Sequence, residues 1–292
     1  MALSRDDRRA SETLGGEVEV HAWVDPTAGP PPAAALAGAD AVVNLMGEEI
    51  AQRWTEEAKQ RIRDSRVLGT RSLVEGMLAL DDRRRPPTLV SQSAVGYYGP
   101  AGDEQLDEQA PAGSDFLAEI VVEWEREALS ASPASRVAVT RTGVVLASAG
   151  GALAKMLPFF RLGLGGPVAG GRQYVPWIHL DDEIGLIRHA MVNEAVKGPL
   201  NLVAPEPVTN GEFVRTLGET LGRPTALTAP AFALRLAFGA MTDELLLASQ
   251  RAMPVRTMET GYGFRHPLLR EALGEILDKG RSEAPAAAAS ST

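Results

Sequence analysis

The segment Thr88-Leu-Val-Ser-Gln-Ser-Ala-Val-Gly-Tyr-Tyr-Gly99 decides the fold class that the sequence predicts. Its apolar start, Thr88–Val90, is typical of a buried strand. Two serines, Ser91 and Ser93, and a pair of tyrosines follow at the carboxyl end of that strand. Because open α/β sheets bind their ligands at the carboxyl ends of strands, the segment predicts a small-molecule site and not a plain core strand.

The sequence on either side of this segment alternates between strand and helix patterns. Strands are predicted at 17–23, 40–45, 136–141, 174–180 and 199–203, and long helices at 55–80 and 114–129. This spacing is typical of an α/β protein with a doubly wound parallel sheet and helices on both faces. Thr55, Thr209 and either Ser114 or Asp115 are predicted to cap helices, and Asp181 and Asp182 are predicted to cap another.

Composition limits the classes of function. The net charge of −9 argues against a nucleic-acid partner, since such a partner needs a cationic surface. No apolar run is long enough to predict a membrane span, and the start of the chain is too polar for a secretory signal. The absence of cysteine fits a reducing compartment, so we expect a cytoplasmic protein. The four histidines lack metal-ligand spacing, and no metal is expected.

Several motifs together carry a family resemblance. They are Asn44-Leu-Met-Gly-Glu48, Arg53-Trp-Thr55, Ile62-Arg-Asp-Ser-Arg66, Ser91–Gly99, Trp177-Ile-His-Leu-Asp-Asp182 and Gly261-Tyr-Gly-Phe264. With them the chain resembles an atypical extended short-chain dehydrogenase/reductase of the NAD-dependent epimerase/dehydratase superfamily. More narrowly, it is similar to sugar-epimerase-like proteins with a C-terminal domain of unknown function, some of which are labelled cell-division inhibitor homologues. The resemblance implies a Rossmann-like fold, a bound nicotinamide dinucleotide and a small, mostly helical substrate domain.

The domain boundaries follow from this resemblance and from a change in character after Gly150. We expect a Rossmann-like dinucleotide-binding domain over 1–155 and 174–204, and a substrate domain over 156–173 and 205–280. The Ala- and Ser-rich stretch 281–292 is predicted to be a disordered tail.

The chain departs from the family at its start. The family opens with a strand and a glycine-rich turn that receives the pyrophosphate on backbone amides. No such turn opens this chain, and Met1–Arg5 resembles the end of the family's second strand. We therefore expect the first strand, the glycine turn and the first helix to be absent. A start codon assigned too late or a truncated chain would explain this, and cofactor binding would then be impaired.

A second departure concerns proton transfer. The superfamily uses a Tyr-x-x-x-Lys pair, in which the lysine lowers the pKa of the tyrosine so that it exchanges a proton with the substrate. The corresponding positions here are Phe116 and Ile120, which carry no exchangeable proton and no charge. Glu119 is the carboxylate nearest to them, and we interpret it as an exposed helix residue.

The resemblance implies a set of cofactor residues. They are Ser4, Arg5, Asn44, Leu45, Met46, Gly47, Arg66 and Ser91. A basic residue after the second strand accepts the 2′-phosphate of NADP, whereas an acidic residue binds the ribose of NAD. Arg5 therefore favours NADP, with NAD as the alternative. Two simpler interpretations stay open: Arg5 belongs to a solvated charged face, and Gly47 belongs to an ordinary turn.

The catalytic candidates are Ser93, which matches the family serine, and Tyr97, which could replace the absent tyrosine. The simpler alternatives are turn capping by Ser93 and packing of Tyr97 against Tyr98. Substrate contacts are expected from Arg141, Lys155 and Gln173, although Arg141 could instead pair with an acidic neighbour. His179 is interpreted as a core histidine. The apolar runs 234–238 and 245–247 are interpreted as core or as the face of a homodimer, not as a membrane anchor.

The sequence thus predicts an NADP-dependent oxidoreductase or epimerase-like protein that acts on a small, nucleotide-sugar-like molecule. Two alternatives remain. One is a non-catalytic, cofactor-binding regulatory protein, favoured by the missing Tyr/Lys pair. The other is a truncated chain with impaired cofactor binding.

Overall fold

Short strands alternate with helices throughout residues 1–278, which the computed structural model of the chain describes. The strands are β1 (Ala2–Ser4), β2 (Val20–Ala22), β3 (Val42–Asn44), β4 (Thr88–Ala94), β5 (Gln105–Leu106), β6 (Arg136–Thr142), β7 (Val144–Leu146), β8 (Tyr174–Val175), β9 (Trp177–His179), β10 (Gly198–Leu202), β11 (Val208–Thr209) and β12 (Arg251–Ala252). The helices are α1 (Asp7–Leu14), α2 (Glu56–Leu78), α3 (Phe116–Leu129), α4 (Gly151–Arg161), α5 (Leu180–Val192), α6 (Asn210–Leu221), α7 (Ala231–Phe238) and α8 (Val255–Glu259), and residues 269–278 are also helical.

The largest sheet has the strand order β10-β6-β4-β3. Its β3 and β4 strands are parallel, with Asn44 opposite Ser91. A separate pair, β1 and β2, is also parallel, with Ser4 opposite Ala22. Consecutive parallel strands joined by a helix, as β3-α2-β4 are, define the βαβ unit of a Rossmann-like fold. The predicted α/β class is confirmed.

The helix starts follow the capping signals in the sequence. Thr55 accepts the backbone N–H of Ala58 at 3.2 Å and begins α2. Thr209 and Glu212 form both halves of a capping box at α6. Asp115 accepts the N–H of Ala118 at 2.8 Å just before α3. These predictions held because a cap depends only on residues within one helical turn.

One capping prediction was wrong. Asp182 lies inside the first turn of α5, which already begins at Leu180. Its buried carboxylate instead accepts the N–H groups of Arg265 at 2.8 Å and His266 at 2.9 Å, together with the hydroxyl of Tyr262 at 3.0 Å. The carboxylate is bound instead by residues eighty or more positions away in the sequence, which no local pattern encodes.

The chain divides into two compact units. The first comprises Met1–Ser93, Glu119–Thr140 and Ala190–Pro199, and its core packs side chains of α2, β4, α3 and β6 together. The second comprises Ala94–Ala118, Arg141–His189 and the chain from Leu200, and its core joins β7, α4, β9, α6 and the helix at 269–278. The domain boundaries expected from the sequence stay a prediction, and the predicted tail at 281–292 lies outside the described residues.

The apolar helix α7 has no buried residue. Leu236 is 88 % exposed and Phe238 is 44 % exposed. The core interpretation of 234–238 is therefore wrong for these side chains, and the homodimer interpretation stays a prediction. None of the described helices is long and apolar enough to cross a membrane.

Candidate functional site

A cavity of about 1080 Å³ in the first unit brings most of the expected cofactor residues together. The residues that line it and were expected from the sequence are Ser4, Arg5, Asn44, Leu45, Met46 and Gly47. They come from the ends of β1 and β3, as the rule for ligand sites in open sheets requires. The other two expected residues, Arg66 and Ser91, support the loop after β3. Cofactor contact by these residues stays a prediction.

Asn44 organises the start of that loop. Its Nδ2 donates to the Thr70 hydroxyl at 2.9 Å and to the Ser91 hydroxyl at 3.1 Å, while its Oδ1 accepts the N–H of Met46 at 3.1 Å. Trp124 of α3 also donates to Thr70, at 2.9 Å. Because each bond is buried or partly buried, water does not replace it easily, and the loop is held in one conformation.

Arg66 holds the other end of the loop after β3. Its Nη1 donates to the carbonyl of Glu48 at 3.0 Å and to that of Ile62 at 3.1 Å. Burial lowers the pKa of Arg66 to about 10. A Cβ at Gly47 would stand 2.9 Å from the guanidinium, which explains the glycine there. The N–H of Glu48 donates to Ser65 at 2.9 Å, so both ends of the loop are fixed to α2.

Ser4 and Arg5 differ in their local roles. Ser4 donates its hydroxyl to the carbonyl of Asp6 at 2.9 Å, and the Asp6 side chain accepts the N–H of Arg9 at the start of α1. Arg5 has an exposed side chain and lines the cavity. The chain therefore passes from β1 directly into Arg5, Asp6 and α1, and not into a glycine-rich turn.

Replacing Asn44 with alanine is expected to lower the free energy of unfolding by about 2 kcal/mol, because buried donors and acceptors on Thr70, Ser91 and Met46 lose their partner. Urea unfolding of the variant measures this. The matched control is Gln60→Ala, which removes an amide from an exposed position of α2. A loss no larger than that of the control would contradict the role assigned to Asn44.

Ser93 has a partner that the sequence did not suggest. Its hydroxyl donates to Glu125 Oε1 at 2.6 Å, and the two residues are only 2 % and 5 % exposed. A signal was present in the sequence, since Glu125 lies on the buried face of α3 between Trp124 and Ala128. A carboxylate inside an apolar helical stripe needs a polar partner. Glu119, by contrast, is exposed as expected.

The tyrosine pair packs around Arg141. The guanidinium carbon lies 3.4 Å from the ring centroid of Tyr97, and Nη1 donates to the Tyr98 hydroxyl at 3.1 Å. Tyr98 in turn donates to Asn201 Oδ1 at 2.7 Å, and burial raises the pKa of Tyr98 to about 12. Tyr98 is thus a structural residue. Arg141 is buried, and Nη1 also donates to the carbonyl of Glu108 at 3.2 Å.

The expected substrate residues lie on different elements of the second unit. Arg141 belongs to β6, Lys155 is an exposed residue of α4, and Gln173 precedes β8. Gln173 Nε2 donates to the carbonyls of Val168 at 3.2 Å and Leu246 at 3.3 Å, so it fixes the surrounding chain. Substrate contact by these three residues and by Tyr97 stays a prediction.

The sequence did not predict the interactions of two buried ionisable groups in and next to α5, Glu183 and His179. Glu183 accepts the Thr142 hydroxyl at 2.9 Å, its Oε2 has no hydrogen-bond partner, and burial raises the pKa of Glu183 to about 7. His179 is buried, as expected, and its ring stacks on that of His266 with centroids 3.9 Å apart. Burial, followed by the neighbouring His266, lowers the pKa of His179.

The same region has a cluster of potential metal ligands. Ligand atoms of His179, Asp181, His266 and Glu275 lie within 4.8 Å of one another. However, His179 Nδ1 accepts the N–H of Asp181 at 3.0 Å, so the neutral ring carries its proton on Nε2. Neither nitrogen can give a lone pair to a cation without losing that hydrogen bond. We therefore assign no metal to the cluster.

The βαβ unit and the polar residues at the ends of β1, β3 and β4 define a Rossmann-like protein. Residues 229–276 match the model of a domain of unknown function (DUF1731). The chain belongs to the SDR39U1-type epimerase family proteins that carry this C-terminal domain, which confirms the resemblance predicted from its motifs.

The relatives support this assignment over most of the chain. The epimerase family protein SDR39U1 homolog, chloroplastic, of Arabidopsis thaliana is 43% identical over 240 residues, which cover 82% of this chain and 69% of that protein. Human epimerase family protein SDR39U1 is 40% identical over 250 residues, or 84% of each chain. The crystal structure of human SDR39U1 (isoform 2) with NADPH superimposes with a TM-score of 0.84 at 36% identity, covering 94% of this chain and 90% of that one.

Proposed function

We propose that the chain is an NADP-binding oxidoreductase or epimerase-like protein that acts on a small, nucleotide-sugar-like molecule in the cytoplasm. The observation that carries this proposal is the cavity of about 1080 Å³, which gathers six of the eight expected cofactor residues. The human relative whose crystal structure contains NADPH supports the choice of cofactor. NAD is the alternative cofactor.

The residues that line the cavity fit the 2′-phosphate and the neighbouring ribose of the cofactor. Arg5 offers an exposed cation for a 2′-phosphate, and Gly47 lets the loop after β3 lie against the Arg66 guanidinium at the cavity wall. We assign the 2′-phosphate to Arg5 and the neighbouring ribose to the loop after β3.

When bound, a nicotinamide cofactor would exchange a hydride with the substrate carbon. The chain's own residues orient the substrate oxygen and move its proton. Ser93 at the end of β4 is the expected contact for that oxygen, and Tyr97 is the expected second contact. Asn44 and Arg66 act through the loop that they hold and are positioning residues.

Reversing the charge at Arg5 tests the proposal. Arg5→Glu is expected to raise the Kd for NADPH at least about tenfold, because a carboxylate repels the 2′-phosphate, and to leave NADH binding nearly unchanged. Nicotinamide fluorescence measures both affinities. The control is Arg9→Glu, which makes the same change on α1 away from the cavity lining. If the unmodified chain does not bind NADPH while the human relative does, the proposal fails.

A non-catalytic regulatory role is the second candidate. It is favoured by Phe116 and Ile120, which replace the proton-transferring pair that the resemblance implies. Such a protein would bind NADPH and change its conformation or its partner without turnover. Binding of NADPH with no oxidation or reduction across alcohols and carbonyls would favour this role.

A further inference from the structure

The hydroxyl of Ser93 already donates a hydrogen bond to another residue of the fold. Its partner is Glu125 Oε1 at 2.6 Å, at the short end of the range for a hydroxyl hydrogen bond. Both side chains are at least 95 % buried, so bulk water does not compete for this bond. A serine that donates its proton in this way presents only oxygen lone pairs to any other group.

The direction of this hydrogen bond decides which substrate groups can bind to Ser93. A carbonyl oxygen has no proton and would face the lone pairs of Ser93 without forming a hydrogen bond. A substrate hydroxyl, in contrast, can donate to Ser93 Oγ while Ser93 continues to donate to Glu125. The bond therefore favours an alcohol over a ketone or aldehyde as the group that meets Ser93.

We propose that Ser93 and Glu125 form a proton-accepting pair that takes the hydroxyl proton of an alcohol substrate during its oxidation. The inference rests on the proposed NADP-dependent function and deepens it, because it names the reacting group of the substrate. It also assigns a catalytic role to Ser93 and the role of proton acceptor, acting through Ser93, to Glu125.

The step balances in protons and electrons. The substrate O–H bond breaks, and its proton goes to Ser93 Oγ as the serine proton moves to Glu125 Oε1. The carbinol C–H bond breaks as the carbonyl forms, and a bound oxidised nicotinamide cofactor would take the hydrogen with its electron pair as a hydride. The alcohol becomes a carbonyl. The reverse reaction starts from protonated Glu125, which returns its proton along the same two bonds.

The other residues considered for proton transfer are poorer candidates for this role. Phe116 and Ile120 have no titratable group, and Glu119 is exposed. Tyr98 is held by its own hydrogen bond to Asn201, and burial raises the pKa of Tyr98 to about 12. The Ser93–Glu125 pair combines a buried carboxylate with a hydroxyl at the carboxyl end of a sheet strand.

The first test measures binding and turnover separately. Ser93→Ala, Glu125→Gln and the double variant are compared with the original chain, using NADPH for binding and NADP with UDP-glucose, UDP-galactose or cyclohexanol for oxidation. The Kd for NADPH is expected to change less than about twofold, whereas kcat falls at least about 100-fold in each variant. The double variant is expected to be no slower than either single one, since both remove the same pathway.

The control variant is Glu123→Gln, which makes the same chemical change on α3 at a residue that pairs with Arg63 at the surface. It is expected to keep the original kcat. Turnover by Glu125→Gln within about threefold of the original overturns the pair but leaves the proposed function intact. NADPH binding without oxidation of any of the three alcohols also overturns it. Failure of the original chain to bind NADPH overturns the proposed function, and this inference with it.

A second test needs no turnover. In infrared spectra of protein labelled with ¹³C-glutamate, the carboxylate band of Glu125 is identified as the band lost in Glu125→Gln. Ser93→Ala is expected to shift this band because the carboxylate loses its donor. Ser91→Ala removes a neighbouring buried hydroxyl that bonds to Asn44, and is expected to leave the band in place. A band that Ser93→Ala does not move overturns the pair.

Discussion

Replacing Glu108 with alanine is expected to lower the free energy of unfolding by about 4 kcal/mol, the largest effect among the variants considered, because several hydrogen bonds to one buried charge are lost together. Glu108 Oε1 accepts the N–H groups of Asn201 at 3.0 Å and Thr257 at 3.3 Å, and Oε2 accepts that of Arg256 at 3.0 Å. The second and third donors belong to the first turn of α8, where a carboxylate also meets the positive end of the helix dipole.

The loss would be concentrated in the second unit. The Thr257 hydroxyl donates to the carbonyl of Asn201 at 2.8 Å, and its oxygen lies 3.4 Å from the same carboxylate. Without Glu108, the buried or partly buried N–H groups at the start of α8 and the buried N–H of Asn201 in β10 lose their protein acceptor. Urea unfolding measures the change, and Glu104→Ala, at an exposed position two residues before Leu106, is the control. A loss under about 1 kcal/mol would show that water replaces the carboxylate.

Glu183→Gln is expected to stabilise the protein at alkaline pH. Glu183 is buried, and its raised pKa of about 7 compares with an ordinary value of 4.5. The folded protein therefore binds this proton more tightly than the unfolded chain does. Above pH 7 the fold must bury the charge, which costs about 3 kcal/mol, since a change of one in pKa corresponds to about 1.4 kcal/mol.

The raised pKa of Glu183 fixes the direction in which the stability of the fold changes with pH. Because the pKa is raised on folding, the contribution of Glu183 to stability is fully present below pH 4.5, declines as the pH rises from 4.5 to about 7, and is lost above that range. Glutamine keeps an oxygen to accept the Thr142 hydroxyl but never ionises. The advantage of Glu183→Gln over the original chain is expected to be about 2 kcal/mol greater at pH 8 than at pH 5.

Urea unfolding at the two pH values measures this difference. Glu194→Gln, at an exposed position just after α5, is the control and is expected to follow the original pH profile. An advantage of Glu183→Gln that is equal at pH 5 and pH 8 would mean that Glu183 ionises in the fold without a penalty, for example through a bound water on Oε2.

Local patterns predicted the parts of the structure that depend on neighbours in sequence. The apolar run Thr88–Val90 became β4, and Thr55 and Thr209 begin α2 and α6 as expected. The clustering of most of the expected cofactor residues could also be predicted, because residues that end parallel strands lie at one edge of a sheet. That rule places Asn44–Gly47 and Met1–Arg5 around one cavity without knowledge of any other contact.

The pairing of buried polar groups could not be predicted in the same way. Ser93 meets Glu125 from 32 residues away, and Asp182 meets His266 from 84 residues away. Arg141, expected at the substrate, lies against Tyr97 and donates to Tyr98. In each case several polar groups could have served as partners, and the choice depends on which helix faces which strand.

The sequence by itself therefore determined the α/β class, because periodicity, caps and strand ends are properties of a few adjacent residues. Its motifs also identified the family, and its strand ends predicted the edge of the sheet at which a ligand would bind. Only the tertiary structure decided that the Ser93 hydroxyl donates to Glu125 and that Glu183 lies buried with one oxygen that has no hydrogen-bond partner. A buried polar group must find its partner among whatever the packing brings within about 3 Å, and packing is a property of the whole chain.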